Sequence, residues 1–131
     1  MRVTDVAIIG GSLAGAACVR TLAAAGVDAI AIERDRFPRE KVCGGFLSPG
    51  AVATIEELGL LENLRRAKAT VVRSAHVLSE GVEANFEFRR PGIGVSRRTL
   101  DGVLGDHPAI EHGNVAGVRR ETDGKFRIDL S

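Results

Sequence analysis

Residues 5–15 read DVAIIGGSLAG, and the reading of the fold turns on how that stretch changes character at Gly10. Residues 4–9 (TDVAII) form a short apolar run with β-branched residues, which predicts a buried strand, and Gly10-Gly11-Ser12 interrupts it with a tight turn. From Leu13 to Ala25 alanine dominates. Ala16, Val19, Leu22 and Ala23 fall on one stripe at helical spacing, and Gly26 stands where a helix C-cap belongs. Residues 27–33 (VDAIAIE) are a second strand-type run. The order strand, glycine-rich turn, helix, strand predicts a βαβ unit with a crossover long enough for parallel pairing.

Each residue type in the turn has a physical task. Gly10 lets the strand turn hard, the position of Ser12 must stay small so that backbone can approach a pyrophosphate, and Gly15 lets the helix pack closely on the strand. The helix start at Leu13 and Ala14 presents N–H groups and the positive end of the helix dipole to phosphates. Glu33 closes the second strand eighteen residues after Gly15. There it would accept hydrogen bonds from the adenosine ribose hydroxyls, while its charge disfavours a 2′-phosphate. Together these residues point to the ADP half of a dinucleotide. The usual middle glycine is Ser12 here, and its small hydroxymethyl group is expected to be compatible with binding.

Working outward, 131 residues with 44% hydrophobic content suit one domain with a single core. Lys and Arg number 18 against 17 Asp and Glu, for a net charge of +1, so no field exists to attract nucleic acid or an acidic membrane. The longest apolar stretches, residues 6–9 and 14–25, fall short of the roughly 20 residues of a spanning helix, so no integral membrane segment is expected. The N-terminus goes directly into a strand and lacks the h-region of a signal peptide, from which a cytoplasmic location is expected. Cys18 and Cys43 have neither CxxC nor Cys/His spacing, which argues for reduced thiols and against a zinc site. Cys18 is expected to pack on its helix. His76, His107 and His112 lack the partners that metal binding or triad chemistry needs, so no metal ligand and no catalytic residue is assigned.

Further along, residues 34–49 (RDRFPREKVCGGFLSP) hold two prolines, paired glycines and clustered charges, and predict an irregular functional loop. Ser48-Pro49 offers an N-cap and an N1 proline for a helix carrying Ala51, Ile55 and Leu58, stopped by Gly59, with a short helix over residues 60–68. Residues 70–79 and 82–88 predict an antiparallel hairpin around Glu80-Gly81, with Ala84, Phe86 and Phe88 on one face. Arg90-Pro91-Gly92 is expected to break it before a strand over residues 93–96 and a helix over residues 98–104. Residues 110–120 and 125–130 read as a closing strand pair around Thr122-Asp123-Gly124.

The segments DVAIIGGSLAG, AIERDRFPREKVCGGFLSPGA and GVSRRTLDGVL together resemble the N-terminal part of the FAD-dependent monooxygenase and geranylgeranyl reductase superfamily. That superfamily is related to p-hydroxybenzoate hydroxylase and to flavin halogenases. The likeness covers most of residues 1–104, and FPREKVCGG is closest to the reductase and monooxygenase branch. The resemblance implies an α/β, Rossmann-like FAD/NAD(P)-binding domain over residues 1–131, with a parallel sheet and an antiparallel β-hairpin insertion at residues 70–96. It implies that Glu33 holds the ribose, that Arg34 lies beside adenine, and that the loop with Lys41, Cys43, Gly44 and Gly45 approaches the ribityl chain and flavin. It further implies that Arg97 of the RxxLD pattern reaches the phosphate and ribityl region, and that the backbone of Val115 contacts adenine. Cys43, beside two glycines, has a redox or substrate role as an open alternative to a plain loop residue. Arg97 has the alternative of a solvated residue at a helix start.

The function that the resemblance implies is therefore the FAD-binding portion of an FAD-dependent oxidoreductase, a monooxygenase or a geranylgeranyl reductase-like enzyme, with NADH or NADPH as external reductant and a small-molecule substrate. Such enzymes extend well beyond this length, so the chain reads as a fragment of a longer protein or as a short natural relative, incomplete for turnover alone. Two other readings stay open: a non-catalytic dinucleotide-binding module, and the NAD-binding domain of a dehydrogenase. Substrate, reaction subtype and oligomeric state are not legible in the sequence.

Overall fold

The computed structural model describes residues 2–131 and divides into two compact units. One comprises the residues up to Arg39 together with Leu104–Ser131, and the other Glu40–Val103.

In the first unit, β1 (Val6–Ile9), α1 (Leu13–Ala24) and β2 (Ala29–Glu33) form the expected βαβ unit, with β1 and β2 parallel from Val6 opposite Ala29 to Ile9 opposite Ile32. Ala16 and Val19 of α1 are fully buried, and Val19 packs with Ala29 and Ala31 while Val6, Ile8, Leu22, Ala109 and Ile110 close around them. Alanines on the strand and helix permit a close approach between the two layers, and that closeness positions the turn. Every residue of β2 is buried, as befits a central parallel strand, whereas β1 alternates. α1 ends where Gly26, at φ +75°, donates its N–H to Ala23 O at 3.0 Å.

Two expectations on α1 are corrected. Ala23 is exposed, because the buried stripe is narrow and runs through Ala16 and Val19. Cys18 is exposed as well, lying off that stripe, so it does not serve as packing. Neither cysteine is in a disulfide.

The run expected as one strand over residues 110–120 is two strands in two sheets. The strand at Ile110–His112, β6 in chain order, adds to β2 in parallel to make the order β1-β2-β6. After Gly113, whose N–H donates to Glu33 O at 2.9 Å, β7 (Val115–Arg120) leaves to pair antiparallel with β8 (Phe126–Leu130). The turn between them has Gly124 at φ +84°, with Lys125 N–H donating to Asp123 Oδ1 at 3.0 Å. Nearby, His107 Nδ1 accepts from Ala109 N–H at 3.2 Å. Burial first, and the neighbouring Arg20 guanidinium second, hold that imidazole below its usual value of 6.5 against the opposing pull of Asp106.

In the second unit, a two-residue strand β3 (Phe46–Leu47) lies within the predicted irregular loop. It is followed by α2 (Pro49–Glu57) and α3 (Leu61–Arg66). Ser48 caps α2 by accepting from Ala51 N–H at 3.3 Å, Pro49 opens the helix, and Gly59 at φ +71° follows its end. Then come β4 (Thr70–Ser79), β5 (Val82–Gly94) and α4 (Arg97–Gly105). The sheet order is β3-β5-β4, antiparallel throughout.

Arg90-Pro91-Gly92 does not end β5, contrary to expectation. The pairing with β4 runs from Ser79 opposite Val82 to Ser74 opposite Glu87, skips, and resumes with Val72 opposite Gly92. Pro91 sits inside that bulge, where its missing N–H costs no ladder bond. The hairpin's apolar face carries Phe88 against Phe46 at 5.7 Å between ring centroids and against Phe86 at 6.0 Å. Among the described residues, no helix is long and apolar enough to cross a membrane, and no group of His, Cys, Asp and Glu could hold a metal ion.

Candidate functional site

The turn between β1 and α1 is built from three glycines with different constraints. Gly10 has φ +100°, a conformation side-chain-bearing residues rarely adopt, although a Cβ there would meet nothing. Gly10 N–H donates to Ile32 O at 2.8 Å, tying the turn to β2. Gly11 faces the end of β2, where a Cβ would lie 3.0 Å from both Glu33 Cβ and Ile110 Cγ2. At Gly15 a Cβ would lie 1.7 Å from Gly10 O, so helix and strand backbones touch.

Ser12 is the N-cap residue of α1, with φ −73° and ψ −158°, and its O accepts from Ala16 N–H at 2.7 Å. Its side chain makes no capping bond, so it does not compete for the first-turn N–H groups of Leu13, Ala14 and Gly15. The turn therefore aims backbone donors and the positive end of a twelve-residue helix outward. A cavity of about 380 Å³ opens against Ile8, Ile9, Gly10, Ser12, Ala14, Gly15 and Cys18.

Glu33 is 6% exposed at the end of β2. Its Oε2 accepts from Gly11 N–H at 2.9 Å, and Oε1 accepts from Asp35 N–H at 3.0 Å and from Arg39 Nη1 at 3.4 Å. The strand end and the turn are thus joined through this carboxylate. Arg34, by contrast, points into solvent and lies 3.9 Å from Asp35 Oδ1. Val115 begins β7, half-buried opposite Leu130.

The remaining expected residues belong to the second unit. Lys41, Cys43 and Gly44 are exposed on the loop before β3. Cys43 Sγ accepts from Gly45 N–H at 3.4 Å, and Gly45 sits at φ +69° with its O accepting from Val95 N–H at 2.8 Å. Arg97 is not a solvated helix-start residue: its side chain is 13% exposed and meets the fully buried Asp101 carboxylate at 3.1 and 3.3 Å. Ser96 opens this helix by accepting from Thr99 N–H at 3.1 Å.

Gly11, Asp35 and Arg39 were missed in the sequence reading. Gly11 lies inside the quoted motif and could have been found from its place between Gly10 and Ser12. Arg39 carries no local signal, being one of several charges in a loop.

The family model of the FAD binding domain matches residues 3–125. The chain belongs to the FAD binding domain family. Menaquinone reductase from Mycolicibacterium smegmatis is 35% identical over 88 residues, 67% of this chain and 20% of that protein. Squalene monooxygenase SE1 from Panax ginseng is 42% identical over 85 residues, 65% of this chain and 16% of the relative. The crystal structure of CmlS, a flavin-dependent halogenase, is similar with a TM-score of 0.80 at 25% identity, covering 99% of this chain and 28% of that one. The FAD binding domain described here thus spans a fifth or less of the length of these curated relatives. Its cofactor is FAD, and its fold is the Rossmann-like α/β arrangement with a parallel sheet and an antiparallel hairpin.

Proposed function

We propose that the chain is the FAD-binding part of an FAD-dependent oxidoreductase, of the monooxygenase or reductase kind, that acts on a small molecule. The observation that carries the placement of the nucleotide is the backbone contact at Gly15, where a Cβ would lie 1.7 Å from Gly10 O. Such closeness leaves the helix start directly behind a turn without bulky side chains, a fit for a pyrophosphate. In this reading the N–H groups of Leu13, Ala14 and Gly15 bind the phosphates beside Ser12, and Glu33 accepts from the adenosine ribose. Roles for Arg34, Val115, Lys41, Cys43, Gly44, Gly45 and Arg97 rest on the resemblance alone. FAD, when bound, supplies the hydride and oxygen chemistry, and the chain supplies binding and orientation.

The curated relatives are named for menaquinone and squalene, both apolar and unsaturated, and a substrate of that class is inferred, with a nicotinamide as reductant. One FAD-binding domain over residues 1–131, with residues 70–96 as an inserted hairpin, and a cytoplasmic setting compatible with two unpaired cysteines complete the proposal.

Titration of FAD, followed by flavin fluorescence, tests the site. The chain is expected to bind FAD, Ser12→Gly to retain it, and Ser12→Val to lose at least about tenfold in affinity while keeping its circular dichroism spectrum. Unchanged affinity in the valine variant would move the pyrophosphate away from the turn. No binding by the parent chain would overturn the proposal.

A further inference from the structure

A carboxylate offers about four acceptor directions. On Glu33, three are taken by Gly11 N–H, Asp35 N–H and the guanidinium of Arg39. That guanidinium makes two further contacts. It contacts the Asp35 carboxylate, and it lies over the Phe37 ring at 5.4 Å from the centroid. The ring in turn fills the space a side chain at residue 105 would need, since a Cβ on Gly105 would fall 2.3 Å from Phe37 Cδ2. Arg39 is consequently a 17% exposed cation whose head is set by packing before any ligand arrives.

We propose that Arg39 is the positioning residue for the ribose hook: it anchors Glu33 Oε1 so that the remaining acceptor direction of the carboxylate faces the adenosine 2′-hydroxyl. The inference rests on the nucleotide reading given above. Without Arg39, Glu33 keeps its two backbone donors but gains freedom about its terminal torsion, and it loses the counter-charge that makes a buried carboxylate tolerable. Asp35 contributes by holding the same Nη1 from which Glu33 accepts, which a lysine would match only in part, because its point charge lacks the planar group that lies over Phe37.

The test compares ADP with 2′-deoxy-ADP by calorimetry on the whole chain. Hydrogen bonds to charged groups are strong enough that the parent is expected to prefer ADP about tenfold. Arg39→Met should bring the two ligands within about twofold of each other, and Arg39→Lys should keep roughly threefold preference. Glu33→Gln in the Arg39→Met background should change the ratio no further, because the two residues act as one device. If Arg39→Met fails to fold, Phe37→Leu carries the question: it removes the platform under the guanidinium and should lower the preference about threefold. A preference that survives Arg39→Met or Phe37→Leu intact, while Glu33→Gln abolishes it, overturns the role of Arg39 and leaves the nucleotide site standing. A parent chain that binds neither ADP nor FAD overturns both.

Discussion

Replacing Gly15 by alanine adds one methyl group, and the structure makes its cost calculable. The new Cβ would sit 1.7 Å from Gly10 O, 2.9 Å from Gly10 C and 3.3 Å from Ile8 Cγ2. To reach even 3.0 Å, the shortest approach real Cβ atoms make, the start of α1 must retreat by about 1.3 Å. The obstacle is backbone, so no rotamer change relieves it. Retreat also lifts Ala16 and Val19, both fully buried, from the strands they pack on. Overpacking costs about 1–3 kcal/mol where side chains can shift, and the rigid obstacle together with the opened void places this variant at about 3 kcal/mol or more. At this chain length that corresponds to a fall in melting temperature of roughly 10 °C. Gly10→Ala provides the contrast, since its Cβ meets open space and only φ +100° opposes it, at about 1–3 kcal/mol. Thermal melts of both variants check the argument, and a Gly15→Ala protein melting within about 3 °C of the parent would refute the backbone contact.

Two other perturbations probe the remainder of the molecule. Arg97→Met leaves the fully buried Asp101 carboxylate without the guanidinium 3.1 Å away, and should cost about 3 kcal/mol in denaturant unfolding. Arg97→Met combined with Asp101→Leu should recover much of that loss, and strict additivity of the two changes would show that the pair is uncoupled. His107 titrates below 6.5 in the folded chain, so its contribution is present above 6.5 and is lost as pH falls below that value, levelling off under the folded value. The melting temperature should therefore drop as pH falls through 6.5, and His107→Gln should flatten part of the drop; an identical slope in the variant excludes His107 as its source.

The parts legible in the sequence are those that depend on neighbours along the chain. β1, the glycine turn, α1 and β2 could be read because strand periodicity, Gly10, the alanine-rich helix and Gly26 all lie within one local unit. The cap at Ser48 and the helix after it are local in the same sense. Where pairing partners lie far away, local signals mislead. Pro91 looks like a strand breaker until the bulge opposite Arg73 supplies a place without a ladder bond. Residues 110–112 and 115–120 look like one strand, and only the competing edges of β2 and β8 divide them. For the site, Gly10, Ser12, Gly15 and Glu33 follow from spacing. Arg39 does not, because its importance arises from a ring, two carboxylates and Gly105, which only the folded chain assembles.

The bulge in the long hairpin has a practical consequence for engineering. It separates the segment pairing Ser74 with Glu87 through Ser79 with Val82 from the segment that pairs Ile93 and Gly94 with β3. The register skip between Val72 and Ser74 interrupts the ladder between the two segments. Glu80 and Gly81 turn the tip with φ +46° and +82° and are both solvent-exposed. Loop-closure entropy grows only slowly with added length. The tip is accordingly a position at which a reporter peptide or an affinity sequence can be spliced into the chain with the pairing of β3, β5 and β4 beyond the bulge retained.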